Sequence, residues 1–401
     1  MRTIRIRLNG QVIDSFFAGK AGTYTRTLDL ATADTKIEIT AADKSSKIES
    51  VPAAITVRAD PKAILGVPDL HVFAIGADRY HEQSKRLNFA VKDAGALASI
   101  LKEAGAGFYR HPPIVKTLFD DQVTAENVEA AFKELSTKVK ATDVFLFFMA
   151  GHGKTLTTSA DYYFLPPSMP MPRSKSKAFG PTQLSAWLET IKAQKSIWIF
   201  DTCESGSASK ILRVRDATSD NAALQRLIDA TGRSIFMAAG EQQIANEGYH
   251  QHGLFTYALL EGLAKAGAGE KVQLFDLADY VQTRVPELSR NLTSCDAKGP
   301  KENCQKPIVE LGHTPNYPVL PRYPKVLAML GADAPQISTK PTHVVIRETA
   351  LFASRGAAPS RQIGVGEQVT VLKSEDNLAQ IAQHGKLLGY VDKSKLVELK
   401  W

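Results

Sequence analysis

The sequence predicts an α/β fold: a parallel sheet with helices on both faces, flanked by two small β units. Three observations carry this. Between residues 69 and 325, short apolar runs alternate with segments of helical periodicity. Residues 1–62 show apolar residues at every second position, the mark of half-buried strands. Residues 342–401 return to that pattern in five short runs, which fits a small β-barrel.

The N-terminal unit reads as four strands. Ile4, Ile6 and Leu8 alternate with Arg5 and Arg7 in TIRIRLNG, and TYTRTLDL, TKIEIT and AAITVRAD continue the alternation. ADPKAILGVPD reads as a linker. The first central strand is LHVFAIG, from Leu70. A helical stripe follows in Leu87, Ala90, Val91, Ala94, Leu97, Ala98 and Leu101. IVKTLF reads as a strand, and 124–139 as a helix with Thr124 at its N-cap. DVFLFFMA, KSIWIFD and RSIFMAAG are strands; PTQLSAWLETIKA is a helix with Pro in its first turn. GLFTYALLEGLAKAG and LFDLADYVQTRV are helices. The Pro- and Lys-rich stretch from Pro166 reads as a loop. The stretch from Gly206 reads as an exposed basic loop leading into a short helix. After about residue 325 strands are expected throughout.

Composition narrows the function classes. The 401 residues are 44% hydrophobic and 23% charged, an ordinary balance for a globular protein with more than one domain. The net charge of +7 comes from scattered Lys and Arg, with no basic run and no interleaved aromatics, which argues against nucleic acid as the partner. No stretch is long and apolar enough to span a membrane. MRTIRIRLNGQ has no apolar core of a signal peptide. That favours the cytoplasm for the chain as it stands; removal of a preceding segment would leave the periplasm or the exterior open. Cys295 and Cys304 share one polar loop, and either form a local disulfide in an oxidising compartment or stay as free thiols. With two thiols and no nearby pair of His residues, that loop does not make a zinc site.

Two strand ends carry the chemistry. VFLFFMAGHG ends on His152 and IWIFDTCESG on Cys203. In an open parallel sheet, ligands bind beyond the carboxyl ends of the strands, so topology can bring both residues to one edge. A thiol is a weak nucleophile near neutral pH, and an imidazole beside it can take its proton. Gly151 and Gly153 leave room for a substrate backbone. The backbone N–H groups of Gly153 and Cys203 are the candidate oxyanion donors.

AGHG followed by DTCESG resembles the caspase-like cysteine peptidase family of caspases, metacaspases and bacterial relatives. The distance from His152 to Cys203 matches the spacing known for caspases. VFAIGADRYHEQSKRLNFAVKDAGALASIL resembles the family's first strand and helix, and FMAAGEQQIANEGYHQHGLFTYALLEGL the strand and helix after the nucleophile. The resemblance implies a caspase-like parallel-sheet sandwich and a cysteine endopeptidase with Cys203 as nucleophile and His152 as general base and acid. Asp201 stands where caspases carry Gln, as in metacaspases, and Asp93 matches their second acidic residue in the S1 pocket. The implied substrate is a protein with Arg or Lys at P1. Glu204 stands where metacaspases carry His, which favours a bacterial caspase-like homologue. Lys210, Arg213 and Arg215 then become candidate self-cleavage sites. No cofactor or metal is expected, because no acidic cluster reads as a calcium site. The C-terminal unit resembles a bacterial SH3-like domain, which implies a peptide or cell-wall ligand. The N-terminal unit resembles the sandwich-like segment preceding some bacterial caspase-like domains. The alternative function is a catalytically silent or conditionally active scaffold that binds partners through its caspase-like and SH3-like parts.

Overall fold

The structure is a computed structural model. It describes residues 2–32, 34–43, 49–60, 66–155, 162–168, 178–202, 233–239, 245, 247–292, 305–312, 314–331, 341–352, 359–383 and 386–399.

Four N-terminal strands form an antiparallel sheet in the order β2-β1-β3-β4: β1 (Arg2–Leu8), β2 (Gln11–Ala18), β3 (Asp34–Ala42) and β4 (Ala53–Arg58). The second strand is not TYTRTLDL, as its alternation predicts, but QVIDSFFA. Asn9 and Gly10 both take positive φ, 49° and 79°, and turn the chain straight back on β1. The next stretch forms no strand, and Ala31 N–H donates to the Gln194 side chain at 3.1 Å.

The central sheet has the order β15-β11-β10-β7-β5-β6. Its strands are β5 (Leu70–Gly76), β6 (Ile114–Phe119), β7 (Val144–Gly151), β10 (Lys195–Thr202), β11 (Ser234–Met237) and β15 (Ile308–Glu310). All neighbours are parallel except β15, which runs antiparallel to β11. Between β7 and β10 lie two short paired strands, β8 (Gly153–Thr155) and β9 (Tyr162–Phe164).

The near-continuous apolar strands exist because each buries both faces. Leu146 and Phe148 of β7 face one core with Val72, Ile197 and Ile199; Phe145 and Phe147 face the other with Phe73 and Trp198. The first core is covered by α1 (Ala90–Gly105) and, later in the chain, by α4 (Leu254–Lys265) and α5 (Leu274–Leu292). The second is covered by α2 (Ala125–Lys138) and α3 (Pro181–Thr190). Phe132 of α2 stacks on Trp187 and Trp198, with ring centroids 5.5 and 5.9 Å away. The fold is therefore α/β with helices on both faces, as the sequence predicts. Thr124 caps α2, its hydroxyl accepting the Asn127 N–H at 3.2 Å.

Three boundaries differ from expectation. Leu87 precedes α1, which starts at Ala90 because the Asp78 carboxylate accepts the N–H groups of Ala90 and Val91. The final long helix runs past the expected end to Leu292, with Pro286 inside it. A short helix, α6 (Lys325–Met329), stands where strands were expected, its Val326 buried in the first core.

Two further pieces complete the central region. The hairpin of β12 (Glu247–Tyr249) and β13 (His252–Gly253) precedes α4, and β14 (Lys271–Gln273) pairs with β16 (Pro318–Pro321). Beyond them lie seven strands rather than five: β17 (His343–Val345), β18 (Thr349–Phe352), β19 (Pro359–Ile363), β20 (Gln368–Glu375), β21 (Leu378–Gln383), β22 (Lys386–Asp392) and β23 (Leu396–Glu398). Their order is β19-β18-β22-β21-β20-β17-β23, over a core of Val345, Leu351, Ile363, Val369, Ala379, Ile381 and Val391.

Candidate active site

The carboxyl ends of β7 and β10 lie side by side. Asp201 pairs in register with Ala150, and Thr202 with Gly151. In sequence His152 follows Gly151 and Cys203 follows Thr202, the two residues paired at this edge. Cys203 itself, with Glu204, Lys210, Arg213, Arg215, Cys295 and Cys304, lies outside the described residues. Gly153 opens β8 immediately after His152.

His152 is held on three sides. Its backbone N–H donates to the Tyr80 hydroxyl at 2.7 Å, and the two rings pack with centroids 4.5 Å apart. Gly151 makes this contact feasible: its φ is 153°, and a Cβ there would lie 2.8 Å from the Tyr80 hydroxyl. The third hold is a hydrogen bond of 2.7 Å between His152 Nε2 and the Lys85 carbonyl. A carbonyl can only accept, so Nε2 carries the proton and Nδ1 of the neutral ring is the basic nitrogen. Burial lowers the pKa of His152, with the Lys85 carbonyl bond acting in the opposite sense.

The loop carrying Tyr80 and Lys85 is pinned at both ends. The Asp120 carboxylate accepts the N–H groups of Asp78 and Arg79, both at 2.8 Å, and the Arg79 guanidinium at 2.7 Å. Asp120 does so from a left-handed conformation, φ 49°, at the end of β6. Asp78 in turn caps α1.

Asp93 and Asp201 converge beside this edge from α1 and β10. A Cβ placed on Gly253 would lie 3.0 Å from Oδ2 of each, so the Gly253 backbone floors the space between the two carboxyl groups. Asp93 is not the solvated helix residue its place at the flank of a stripe would suggest: it is 2% exposed. Its Oδ2 accepts the Gly253 N–H at 2.8 Å, and its Oδ1 lies 2.5 Å from His252 Nδ1. Asp201 Oδ2 accepts the Thr256 hydroxyl at 2.5 Å. Among the described residues neither carboxyl has a Lys or Arg ion-pair partner. Burial consequently favours the neutral acids: Asp93 is pushed well above the ordinary carboxylate range, and Asp201 to about 7, with Asp93 adding to the shift. Burial pushes His252 the other way, to about 4.

The comparisons with known proteins bear on this edge. A caspase-domain family model (Peptidase C14) matches residues 71–314, which contain both strand ends and both acids. The chain belongs to the caspase-domain peptidase family. Among solved structures, a crystal structure of a Geobacter sulfurreducens protein is similar at 18% identity and TM-score 0.39, covering 61% of this chain and 93% of that one. Caspase-1 from Spodoptera frugiperda is similar at 14% identity and TM-score 0.39, covering 61% and 86%. Raptor from Chaetomium thermophilum is similar at 14% identity and TM-score 0.31, covering 49% of this chain and 18% of that one. No curated protein matches. A caspase-domain peptidase is a cysteine hydrolase with a protein substrate.

Four participants escaped the sequence reading of this caspase domain: Tyr80, the Lys85 carbonyl, His252 and Thr256. Tyr80 lies inside the quoted first-strand segment and could have been found there as the aromatic nearest to it. The Lys85 carbonyl has no side-chain signal. His252 and Thr256 belong to a hairpin and helix whose approach to Asp93 and Asp201 is a tertiary fact. Among the described residues no group of three or more His, Cys, Asp or Glu side chains could hold a metal ion, and no helix is long and apolar enough to cross a membrane.

Proposed function

We propose that this chain is a caspase-like cysteine endopeptidase that cleaves proteins after Arg or Lys through Cys203 and His152. One observation carries the reading: the buried Asp93 and the half-buried Asp201, neither with a Lys or Arg partner among the described residues, meet over the Gly253 backbone at the strand edge that also holds a tautomer-fixed histidine. A basic P1 side chain supplies the missing charge, since buried carboxylates are tolerated when paired.

In this reading Nδ1 of His152 takes the thiol proton of Cys203. The thiolate attacks the scissile carbonyl, and the backbone N–H groups of Gly153 and Cys203 hold the oxyanion. Collapse of the tetrahedral intermediate passes the His152 proton to the leaving amine and leaves a thioester. Water, deprotonated by the same Nδ1, releases the acid and restores the thiol. The Lys85 carbonyl plays the orienting part throughout, accepting Nε2–H and favouring the imidazolium when it forms. The lowered pKa of His152 keeps it unprotonated, and so a base, at neutral pH. Cleavage after Lys210, Arg213 or Arg215 by the same specificity is the proposed activation step.

The test is a panel of fluorogenic peptides with Arg, Lys, Asp or Ala at P1, with wild type beside Cys203→Ala. Turnover after Arg and Lys that disappears in the variant is expected. Turnover after Asp would refute the acidic pocket and keep the dyad. Turnover by Cys203→Ala would refute the dyad. Wild-type silence, persisting after proteolytic nicking of the loop from Gly206, would favour the scaffold reading.

A further inference from the structure

His252 is a buried titratable group that the mechanism above does not use. It is 3% exposed and belongs to β13, whose strand direction is set by an unusual turn. Tyr249 pairs with His252, and the two residues between them, His250 and Gln251, take positive φ of 48° and 63°. Two consecutive left-handed residues make the tight hairpin turn that normally selects Asn and Gly, so this hairpin holds non-glycine residues against their preference. The hairpin aims His252 Nδ1 at Asp93 Oδ1 and lays the Gly253 N–H on Asp93 Oδ2.

The proton inventory of this contact follows from donor and acceptor roles. Gly253 N–H can only donate, so Oδ2 is an acceptor. The 2.5 Å approach of Oδ1 to Nδ1 then contains the one proton of the pair. With the acid pushed up and the imidazole pushed down by burial, that proton belongs to Asp93, and neutral His252 accepts it through Nδ1. The charged groups around the pair leave this unchanged. Lys92, on the same helix, points its ammonium to the Gln251 side chain at 3.1 Å, lowers His252 and acts on Asp93 less than burial does. Asp78 raises Asp93. Asp201 opposes it across the Gly253 floor, and α4 gives Asp201 the neutral hydroxyl and backbone N–H of Thr256. His250 in the turn, itself lowered by burial, feels His252 and Glu261. Glu261 is taken up by Lys265 and Arg284, both at 2.7 Å.

We propose that His252 is a positioning residue of the pocket and its proton relay, so that a guanidinium or ammonium group enters in exchange for a proton. This rests on the reading of Asp93 and Asp201 as the site of the basic side chain. On entry of the cation, Asp93 Oδ1 gives its proton to His252 Nδ1, and the ring passes the proton on Nε2 to a solvent water, which carries it into bulk. Neutral His252 then donates Nδ1–H to the carboxylate it previously accepted from. No bond other than these O–H and N–H bonds changes. One positive charge enters and one leaves, so the buried site keeps its net charge, which avoids the cost of accumulating charge in low dielectric.

The test is calorimetric titration of the full chain with benzamidine, an isolated amidinium probe, in buffers of different ionisation enthalpy. The dependence of the apparent enthalpy on the buffer counts protons. Asp201, raised to about 7, can itself give up a proton on pairing at pH 6.5, so the count is read in Asp201→Asn, where release of about one proton per benzamidine bound is expected. Binding with no proton release at any pH would overturn the exchange while keeping the acidic pocket. No binding by the wild type would overturn both. His252→Ala should weaken benzamidine 10-fold or more, and His252→Asn, which keeps a hydrogen-bonding group on Asp93, should restore most of the affinity. Equal affinity in wild type and both variants would overturn the positioning role. If His252→Ala does not fold, the Asp201→Asn proton count and His252→Asn decide.

Discussion

Asp201→Asn should make the protein more stable and less specific at once. The carboxyl titrates near 7 when folded and near 3.8 when free. A folded pKa above the unfolded one means that the folded state binds the proton more tightly. The contribution is fully present below about pH 4 and is lost as pH rises through 7. By pH 8 the folded protein must carry a buried carboxylate that the unfolded chain ionises freely. A tenfold gain in proton affinity is worth about 1.4 kcal/mol, so the full displacement amounts to roughly 4 kcal/mol. Between pH 5 and pH 8 the wild type forfeits roughly 3 kcal/mol of that. Asp201 keeps part of its surface open, and solvent screening reduces the measurable effect to about 2 kcal/mol. Asn keeps an oxygen for the Thr256 hydroxyl, has no charge to bury, and removes the repulsion on Asp93. Denaturant melts of wild type and Asp201→Asn at pH 5 and pH 8 measure this directly. The variant should gain about 2 kcal/mol on the wild type at pH 8 relative to pH 5. In the peptide panel it should lose the preference for Arg and Lys. A variant no more stable at pH 8 than at pH 5, relative to wild type, would refute the reasoning: a counter-cation would then already neutralise Asp201 in the folded chain.

Two further expectations rest on the loop between β5 and α1. Tyr80→Phe removes the acceptor of the His152 N–H while keeping the ring, so kcat should fall about 10-fold with little change in KM, and an unchanged kcat would remove Tyr80 from the positioning of His152. Asp120→Ala leaves the N–H groups of Asp78 and Arg79 without their acceptor, and should destabilise the chain by about 2–3 kcal/mol in a urea melt and lower kcat through the displaced Lys85 carbonyl; intact stability would refute the pinning.

The fold and the site were legible to different depths, for physical reasons. β5, β7 and β10 announce themselves because strands buried on both faces must be apolar at every position, and three such runs separated by helical stripes leave little room for another sheet. The pairing of Thr202 with Gly151, the residues before Cys203 and His152, follows from that pattern together with one intervening helix. The second N-terminal strand was misread because alternation alone is shared by segments that form no strand; only the Asn9–Gly10 turn decides which segment pairs with β1. Asp93 was visible as an acid at the edge of a stripe, but its burial depends on His252 and Gly253, 159 and 160 residues away. No local period encodes such a contact. His252 carried no signal at all, because the turn that aims it uses His and Gln where the sequence signal for a tight hairpin is Asn and Gly.

That failure joins two features of the site. Local rules are broken at the His250–Gln251 turn, at Asp120 and in the burial of Asp93 and Asp201, and all four surround the same strand edge. Each is unfavourable alone: left-handed side chains cost conformational energy, and acids buried without a cation cost desolvation. A fold that selected only for stability would replace the acids by amides and the turn by Asn and Gly, since neither change disturbs the packing of the sheet. Under the proposed reading, the two acids and the turn that aims His252 serve a positively charged side chain, while Asp120 serves the loop that carries Tyr80 and Lys85. On that proposal, the stability given up at this edge is held in reserve as binding energy for a basic substrate residue, and a pocket that is strained without its cation discriminates against neutral side chains more sharply than a relaxed one.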